Sequence, residues 1–134
     1  MATSIVYYSS ELRTESTHLQ SGETYITDAP IDNEGKGEAF SPTDLVATAL
    51  GSCMVTIMGI AAQKYNIDIS GTNASVKKIM GSNPRKINEV VIDISMDKHI
   101  RENDRKRLER AALSCPVHKS LHPDLIKTIS FSYT

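Results

Sequence analysis

Residues 41–66 read SPTDLVATALGSCMVTIMGIAAQKYN, and this stretch decides how the rest of the chain can fold. Ser41 is a favourable N-cap, Pro42 suits the first helical position, and Asp44 stands three residues after the cap, as in a capping box. No charged residue occurs between positions 45 and 62, and apolar side chains occupy every face. Because a helix that is apolar all round must be buried, the stretch predicts a long core helix that ends near Tyr65 or Asn66.

A membrane span is the alternative for this helix, since the charge-free run of 18 residues reaches the lower limit for crossing a bilayer. The run contains many small or polar residues, and no basic flank or aromatic belt marks its ends. A tight N-cap motif is typical of soluble helices. We therefore expect no membrane association, and the small residues indicate that other backbone packs closely against the helix.

The composition predicts one soluble domain, 1–134, because 40% of the residues are hydrophobic and 23% are charged. The net charge of −1 gives no electrostatic reason to expect nucleic acid as a partner. The residues after Met1 lack the basic start and apolar core of a secretory signal, so we expect a cytoplasmic protein.

The segments on either side of the long helix predict an α+β domain. The predicted strands span residues 5–8, 24–27, 67–80, 87–96 and 125–133. Another strand of the first hairpin lies before a turn near residues 21–22, residues 32–37 form a loop, and residues 81–84 form a turn. A second helix begins at Asn103 or Asp104 and ends at Leu113, and a short helix spans 116–121.

A chain of 134 residues has little material with which to surround a helix that is apolar on all sides. A second copy would supply the missing cover. We therefore predict a homodimer in which sheets from both subunits cover the long helices.

Cys53 and Cys115 are the two cysteines of the chain. Cys53 lies in the middle of the long helix, where the helix dipole does not act and burial would keep the thiol neutral. A reactive Cys53 needs a neighbouring cation, and Arg13 is the only arginine before residue 85. The alternatives are that Arg13 is an ordinary surface residue of the hairpin and that both cysteines are inert and buried.

Cys115 immediately precedes Pro116, which places it at the N-cap of the short helix. Backbone amides there could stabilise a thiolate, so local physics predicts that Cys115 is the more acidic thiol. Cys115, His118 and His122 also follow a C-x2-H-x3-H spacing, which Cys53 could complete as a zinc site. One short cluster followed directly by Pro123 is weak support, and we predict no metal.

The segments SPTDLVATALGSCMVTIMGIAA around Cys53 and AALSCPVHKSLHP around Cys115 resemble the paired-cysteine motifs of the OsmC/Ohr family. This family comprises osmotically induced and organic-hydroperoxide-resistance proteins, and the chain is most similar to its YhfA-like branch. The resemblance covers essentially the whole chain. It implies an OsmC-like fold, with a long buried central helix packed on antiparallel sheets in an intertwined homodimer.

The resemblance also implies a thiol-dependent peroxidase that reduces organic hydroperoxides in oxidative-stress defence. Cys53 is then the peroxidatic thiolate, Cys115 resolves its sulfenic acid as a disulfide, and Arg13 holds the thiolate and orients the peroxide. No cofactor is implied. An external dithiol, of lipoyl type, reduces the disulfide.

One position departs from the family pattern. In the hydroperoxide reductases a glutamate follows the proline that starts the long helix and pairs with the arginine, whereas Thr43 stands here. Asp44 is a weak substitute because the capping box gives it a structural role, and Glu38 is another candidate. The departure keeps open an alternative: an OsmC-like dimer with little peroxidase activity that binds a small apolar or thiol-reactive ligand.

Overall fold

Two units make up the chain in the computed structural model, which describes all residues from Met1 to Thr134. The first unit is Met1–Leu45 and the second is Val46–Thr134. The prediction of one domain spanning 1–134 stays a prediction.

The first unit is built on an antiparallel three-stranded sheet in the order β1-β2-β3. The strands are β1 (Ser4–Ser10), β2 (Arg13–His18) and β3 (Thr24–Asp28), followed by a short 3₁₀ turn at Ile31–Asn33. This confirms the predicted hairpin and the turn near residues 21–22, where Gly22 has a φ of +79°. Every residue of β1 is exposed, and the buried side chains of the unit are polar. The first unit therefore has no apolar core of its own.

The long helix α1 (Pro42–Lys64) begins where the sequence predicts. The Ser41 N–H donates to Asp44 Oδ2 at 3.0 Å, and the Asp44 N–H donates to Ser41 Oγ at 3.0 Å. This reciprocal pair confirms the capping box. The helix ends just before Asn66, whose φ of 55° lies in the left-handed region.

The second unit adds a sheet in the order β4-β5-β6 and two helices. The elements are β4 (Asn73–Gly81), β5 (Lys86–Met96), α2 (Glu102–Leu113), α3 (Pro116–Ser120) and β6 (Ile126–Tyr133). Strands β4 and β5 are antiparallel, whereas β5 and β6 are parallel, so this sheet is mixed and not antiparallel as expected. The parallel pair arises because α2 and α3 form a crossover between its strands.

Two predicted boundaries in the second unit are wrong. Strand β4 begins at Asn73 and not at residue 67, because the intervening residues turn: the Ser70 N–H donates to Asp68 Oδ1 at 2.9 Å, and Gly71 has a φ of +86°. Helix α2 begins at Glu102, before either predicted cap, and its N-cap residue Arg101 makes no side-chain capping bond.

The apolar core of the second unit lies between one face of α1 and the sheet. The buried residues of α1 recur at helical spacing, and those of β5 alternate along the strand. The buried residues of these two elements are Ala47, Leu50, Gly51, Met54, Met58, Ala62, Val90, Ile92, Ile94 and Met96. Other faces of α1 remain open, since Val46 and Ile60 are 39% and 58% exposed. By length and composition alone α1 could span a membrane, a test that core helices of soluble proteins also pass.

The element order confirms the α+β fold, with a long helix against a sheet. The homodimer stays a prediction.

Candidate functional site

The two cysteines lie in the second unit, on different helices. Cys53 is half-buried in the middle of α1, and Cys115 is fully buried at the N-cap of α3. The N-cap position follows from Pro116 at the first helical position, as predicted. Cys115 Sγ accepts a hydrogen bond from the His118 N–H at 3.2 Å. Both thiols are free.

The tertiary structure brings these two thiols close enough for Cys53 to influence the pKa of Cys115. Short-range sequence patterns identify both residues but do not place them together. Since a disulfide needs close approach of two sulfur atoms, this proximity is necessary for a reversible Cys53–Cys115 bond.

The pKa of the Cys115 thiol is raised above its ordinary value. Burial is the largest cause, and the neighbouring Cys53 thiol acts in the same direction. The backbone N–H groups of His118 and Val117 lower the pKa, but their effect is smaller. The prediction of an acidic Cys115 is therefore wrong, because desolvation outweighs the amides of a helix of one turn.

Arg13 lies in the first unit, at the start of β2, directly opposite Asp28 of β3. Arg13 Nε donates to Asp28 Oδ1 at 2.7 Å, and Arg13 Nη2 donates to Asp28 Oδ2 at 2.9 Å. Arg13 Nη2 also donates to Glu38 Oε1 at 3.1 Å. Arg13 is thus held in an ion-pair cluster and is not an isolated surface residue. Its proximity to Cys53 stays a prediction.

Asp28 is the member of this cluster that no sequence motif predicts. Its carboxylate is only 1% exposed, and its hydrogen bonds with Arg13 are the main cause that lowers its pKa. Asp28 in turn raises the pKa of Arg13, so both groups stay charged. The predicted strand ends at residue 27. If the predicted strand is extended by one residue to Asp28, the antiparallel register of β2 and β3 places this acid opposite Arg13.

The other supporting residues lie at the entry to α1 or beside Arg13. Asp44 forms the capping box, which confirms its predicted structural role. The Thr43 hydroxyl lies 3.2 Å from Ser41 Oγ. Glu38, a candidate partner of the arginine, contacts it through one oxygen and is 66% exposed.

The histidines of the zinc alternative do not gather around Cys115. No group of three or more His, Cys, Asp or Glu side chains is arranged to hold a metal ion. His122 Nδ1 accepts the Asp124 N–H at 3.0 Å, and the pKa of His118 is lowered by burial and by the charge of Lys127.

Fold and site together define an α+β protein with two adjacent free thiols, one on a core helix and one at the start of a short helix. The chain belongs to the OsmC family of OsmC-like proteins, which it matches over residues 35–129. Membership in the YhfA-like branch stays a prediction. A search of curated protein sequences gives no match.

Solved structures of similar chains agree with this assignment. A protein from Psychrobacter arcticus, described as a candidate osmotic stress induced and detoxification response protein, is 51% identical with a TM-score of 0.94, over 98% of this chain and 96% of that chain. An OsmC-like protein from Mycoplasma pneumoniae is 14% identical with a TM-score of 0.81, over 98% and 96% of the two chains. An organic hydroperoxide resistance protein from Legionella pneumophila is 16% identical with a TM-score of 0.76, over 98% of each chain.

Proposed function

We propose that the protein is a thiol-dependent peroxidase that reduces organic hydroperoxides through a cycle at Cys53 and Cys115, in defence against oxidative stress. The observation that carries the proposal is the proximity of these two free thiols. Membership in a family with hydroperoxide-resistance proteins supports it, as does the name of the Legionella pneumophila relative.

In the first step the Cys53 thiolate attacks the peroxide. An S–O bond forms as the O–O bond breaks, the alkoxide takes a proton and leaves as the alcohol, and Cys53 becomes a sulfenic acid. Two thiolates side by side would repel each other, and the raised pKa of Cys115 keeps that thiol protonated during this step.

In the second step Cys115 attacks the Cys53 sulfur. The S–S bond forms, the S–O bond breaks, and the proton of Cys115 leaves with the hydroxyl group as water. An external dithiol, of lipoyl type in this proposal, then reduces the disulfide and is itself oxidised. In sum, one hydroperoxide and one dithiol give an alcohol, water and a cyclic disulfide, and no cofactor is required.

Arg13 is assigned the role of holding the Cys53 thiolate and orienting the peroxide. A guanidinium stays protonated at every relevant pH and presents several N–H donors in a fixed plane. Its ion pair with Asp28 supports a fixed position for this charge.

The test measures dithiol-driven consumption of cumene hydroperoxide by the purified protein. We expect turnover by the wild type and none by Cys53→Ser. Cys115→Ser should complete a single turnover and accumulate a sulfenic acid on Cys53 that dimedone traps. Unchanged turnover in Cys53→Ser would contradict the proposal.

Thr43, in place of the family glutamate, favours a second candidate: a dimer that binds a small apolar or thiol-reactive ligand and has little peroxidase activity. Native mass spectrometry separates the two candidates. A retained ligand in a wild type that consumes no hydroperoxide would support this second function.

We also propose a cytoplasmic homodimer that needs neither nucleic acid nor membrane. The exposed apolar residues of β1 and α1 support the dimer, because soluble monomers rarely leave such surface uncovered.

A further inference from the structure

The bidentate pair between Arg13 and Asp28 constrains the guanidinium more strongly than any other contact of that group. Two parallel N–H···O bonds fix both the position and the plane of an arginine side chain. Here they engage Nε and Nη2 of Arg13, while Nη1 donates no hydrogen bond within the chain. The unused Nη1 therefore offers its donors in a fixed direction.

Asp28 is itself held in place. It is 1% exposed, and its Oδ2 accepts the backbone N–H of Glu38 at 3.1 Å in addition to the Arg13 bond. A buried carboxylate with three hydrogen bonds has little freedom to rotate or to exchange partners with water. Its strand position, directly opposite Arg13, adds a second constraint through the sheet.

The other acids near Arg13 or the helix entry are poorer anchors. Glu38 makes one bond to Nη2 and is 66% exposed, so water competes for it. Asp44 accepts the Ser41 N–H in the capping box, and Thr43 carries no charge.

We propose that Asp28 is the positioning residue for Arg13 in peroxide reduction, because it is the buried carboxylate that fixes the guanidinium. This inference rests on the proposed function. Asp28 acts through Arg13: its two hydrogen bonds fix the plane of the guanidinium and leave the Nη1 donors available to a reacting group.

The experiment compares the hydroperoxide kinetics of Asp28→Asn, Asp28→Glu and Glu38→Gln with those of the wild type. Asparagine keeps the shape but removes the charge, and glutamate keeps the charge but moves it by one methylene. Because a displacement of about 1 Å in a positioned group costs roughly 100-fold in rate, we expect both Asp28 variants to lose about that factor in kcat/KM. Glu38→Gln should lose far less.

Glu11→Gln is the matched control. Glu11 also forms an ion pair in the first unit, with Lys36 at 2.6 Å, and the substitution again exchanges an acid for its amide. We expect Glu11→Gln to retain the wild-type kcat/KM. An equal loss in this control would show that any disturbed ion pair of the unit lowers activity, and would overturn the assignment to Asp28.

A double-mutant cycle separates positioning from a general structural effect. In an Arg13→Gln background, Asp28→Glu should cause no further loss of kcat/KM, because the group through which Asp28 acts is gone.

The ¹⁵Nε resonance of Arg13 should shift in Asp28→Glu and stay in place in Glu11→Gln. If Asp28→Asn does not fold, the kinetics of Asp28→Glu alone test whether Asp28 positions Arg13.

The kinetic measurements distinguish failure of the proposed function from failure of the role assigned to Asp28. A wild type without hydroperoxide turnover would refute the proposed function. An active wild type whose Asp28→Glu variant folds and turns over normally would refute this inference alone, as would additive losses in the Arg13→Gln cycle.

Discussion

Hydrogen bonding and burial act on the pKa of the Cys115 thiol in opposite directions. Its N-cap position supplies backbone N–H donors that stabilise a thiolate, and burial removes the water that would stabilise it better. Burial wins because Cys115 is fully enclosed and α3 has only five residues. A protonated resolving thiol suits the proposed cycle, because its proton leaves with the hydroxyl group of the sulfenic acid.

The raised pKa of Cys115 predicts a specific dependence of stability on pH. The folded state keeps the Cys115 proton to higher pH than the unfolded state, whose thiol has the ordinary value of 9.0. Between these two values the folded protein binds more protons, so the free energy of unfolding decreases as the pH rises. We expect urea unfolding to show this loss above about pH 9 in the wild type.

Cys115→Ser is the control for that measurement. Serine is a good N-cap residue but does not titrate in this range, so the variant keeps the cap and lacks the thiol proton. Its free energy of unfolding should fall less steeply with pH than that of the wild type. Equal slopes would show that burial does not favour the protonated thiol.

At the scale of an element, α1 has two glycines with opposite surroundings. A Cβ at Gly51 would lie 2.8 Å from Val76 Cγ2, so β4 approaches the helix closely at this point. A Cβ at Gly59 would meet nothing within 4 Å. The predicted close packing of other backbone against α1 is therefore not found at these two glycines: side chains of the sheet surround Gly51, and Gly59 has no close neighbour.

Alanine at these two positions should change stability in opposite directions. Gly59→Ala should raise the free energy of unfolding by about 0.5–1 kcal/mol, the usual gain in helix propensity. In Gly51→Ala an overpacking cost of about 1–3 kcal/mol opposes the same gain, and we expect a net loss of about 1 kcal/mol. Urea unfolding of both variants checks the signs, and stabilisation by Gly51→Ala would refute the tight contact.

At the scale of the whole molecule, apolar surface exceeds what one chain covers. Strand β1 is exposed along its length, and α1 buries one face while Ile60 on another is 58% exposed. A partner chain would remove this surface from water. The predicted homodimer would therefore explain why α1 has apolar residues on faces that its own chain leaves exposed.

Sedimentation equilibrium should therefore find a dimer at micromolar concentration. Ile60→Asp places a charge in the proposed interface and should weaken dimerisation about 30-fold or more, as expected for a central apolar residue worth about 2 kcal/mol. Lys106→Asp, at an exposed position of α2, should leave the dimer intact. A monomeric wild type would refute the homodimer.

The sequence by itself determined the features that depend on neighbouring residues. The start of α1 at Ser41, Pro42 and Asp44, the turn between β4 and β5 and the cap of α3 at Cys115 and Pro116 need only short-range hydrogen bonds and backbone restrictions. These features, together with the order of helices and strands, made the α+β fold predictable, apart from the boundaries at β4 and α2 and the parallel pairing of β6.

Only the tertiary structure decided which residues that are distant in sequence lie together. It also decided whether burial or hydrogen bonding dominates the pKa of Cys115. Asp28 is 15 residues from Arg13 along the chain, and the register of β2 and β3 places the two side chains together. The proximity of Cys53 to Cys115, and the burial that keeps Cys115 protonated, depend on how helices pack in the second unit. Local patterns carry no information on such contacts, because desolvation and pairing depend on surroundings that the folded chain alone provides.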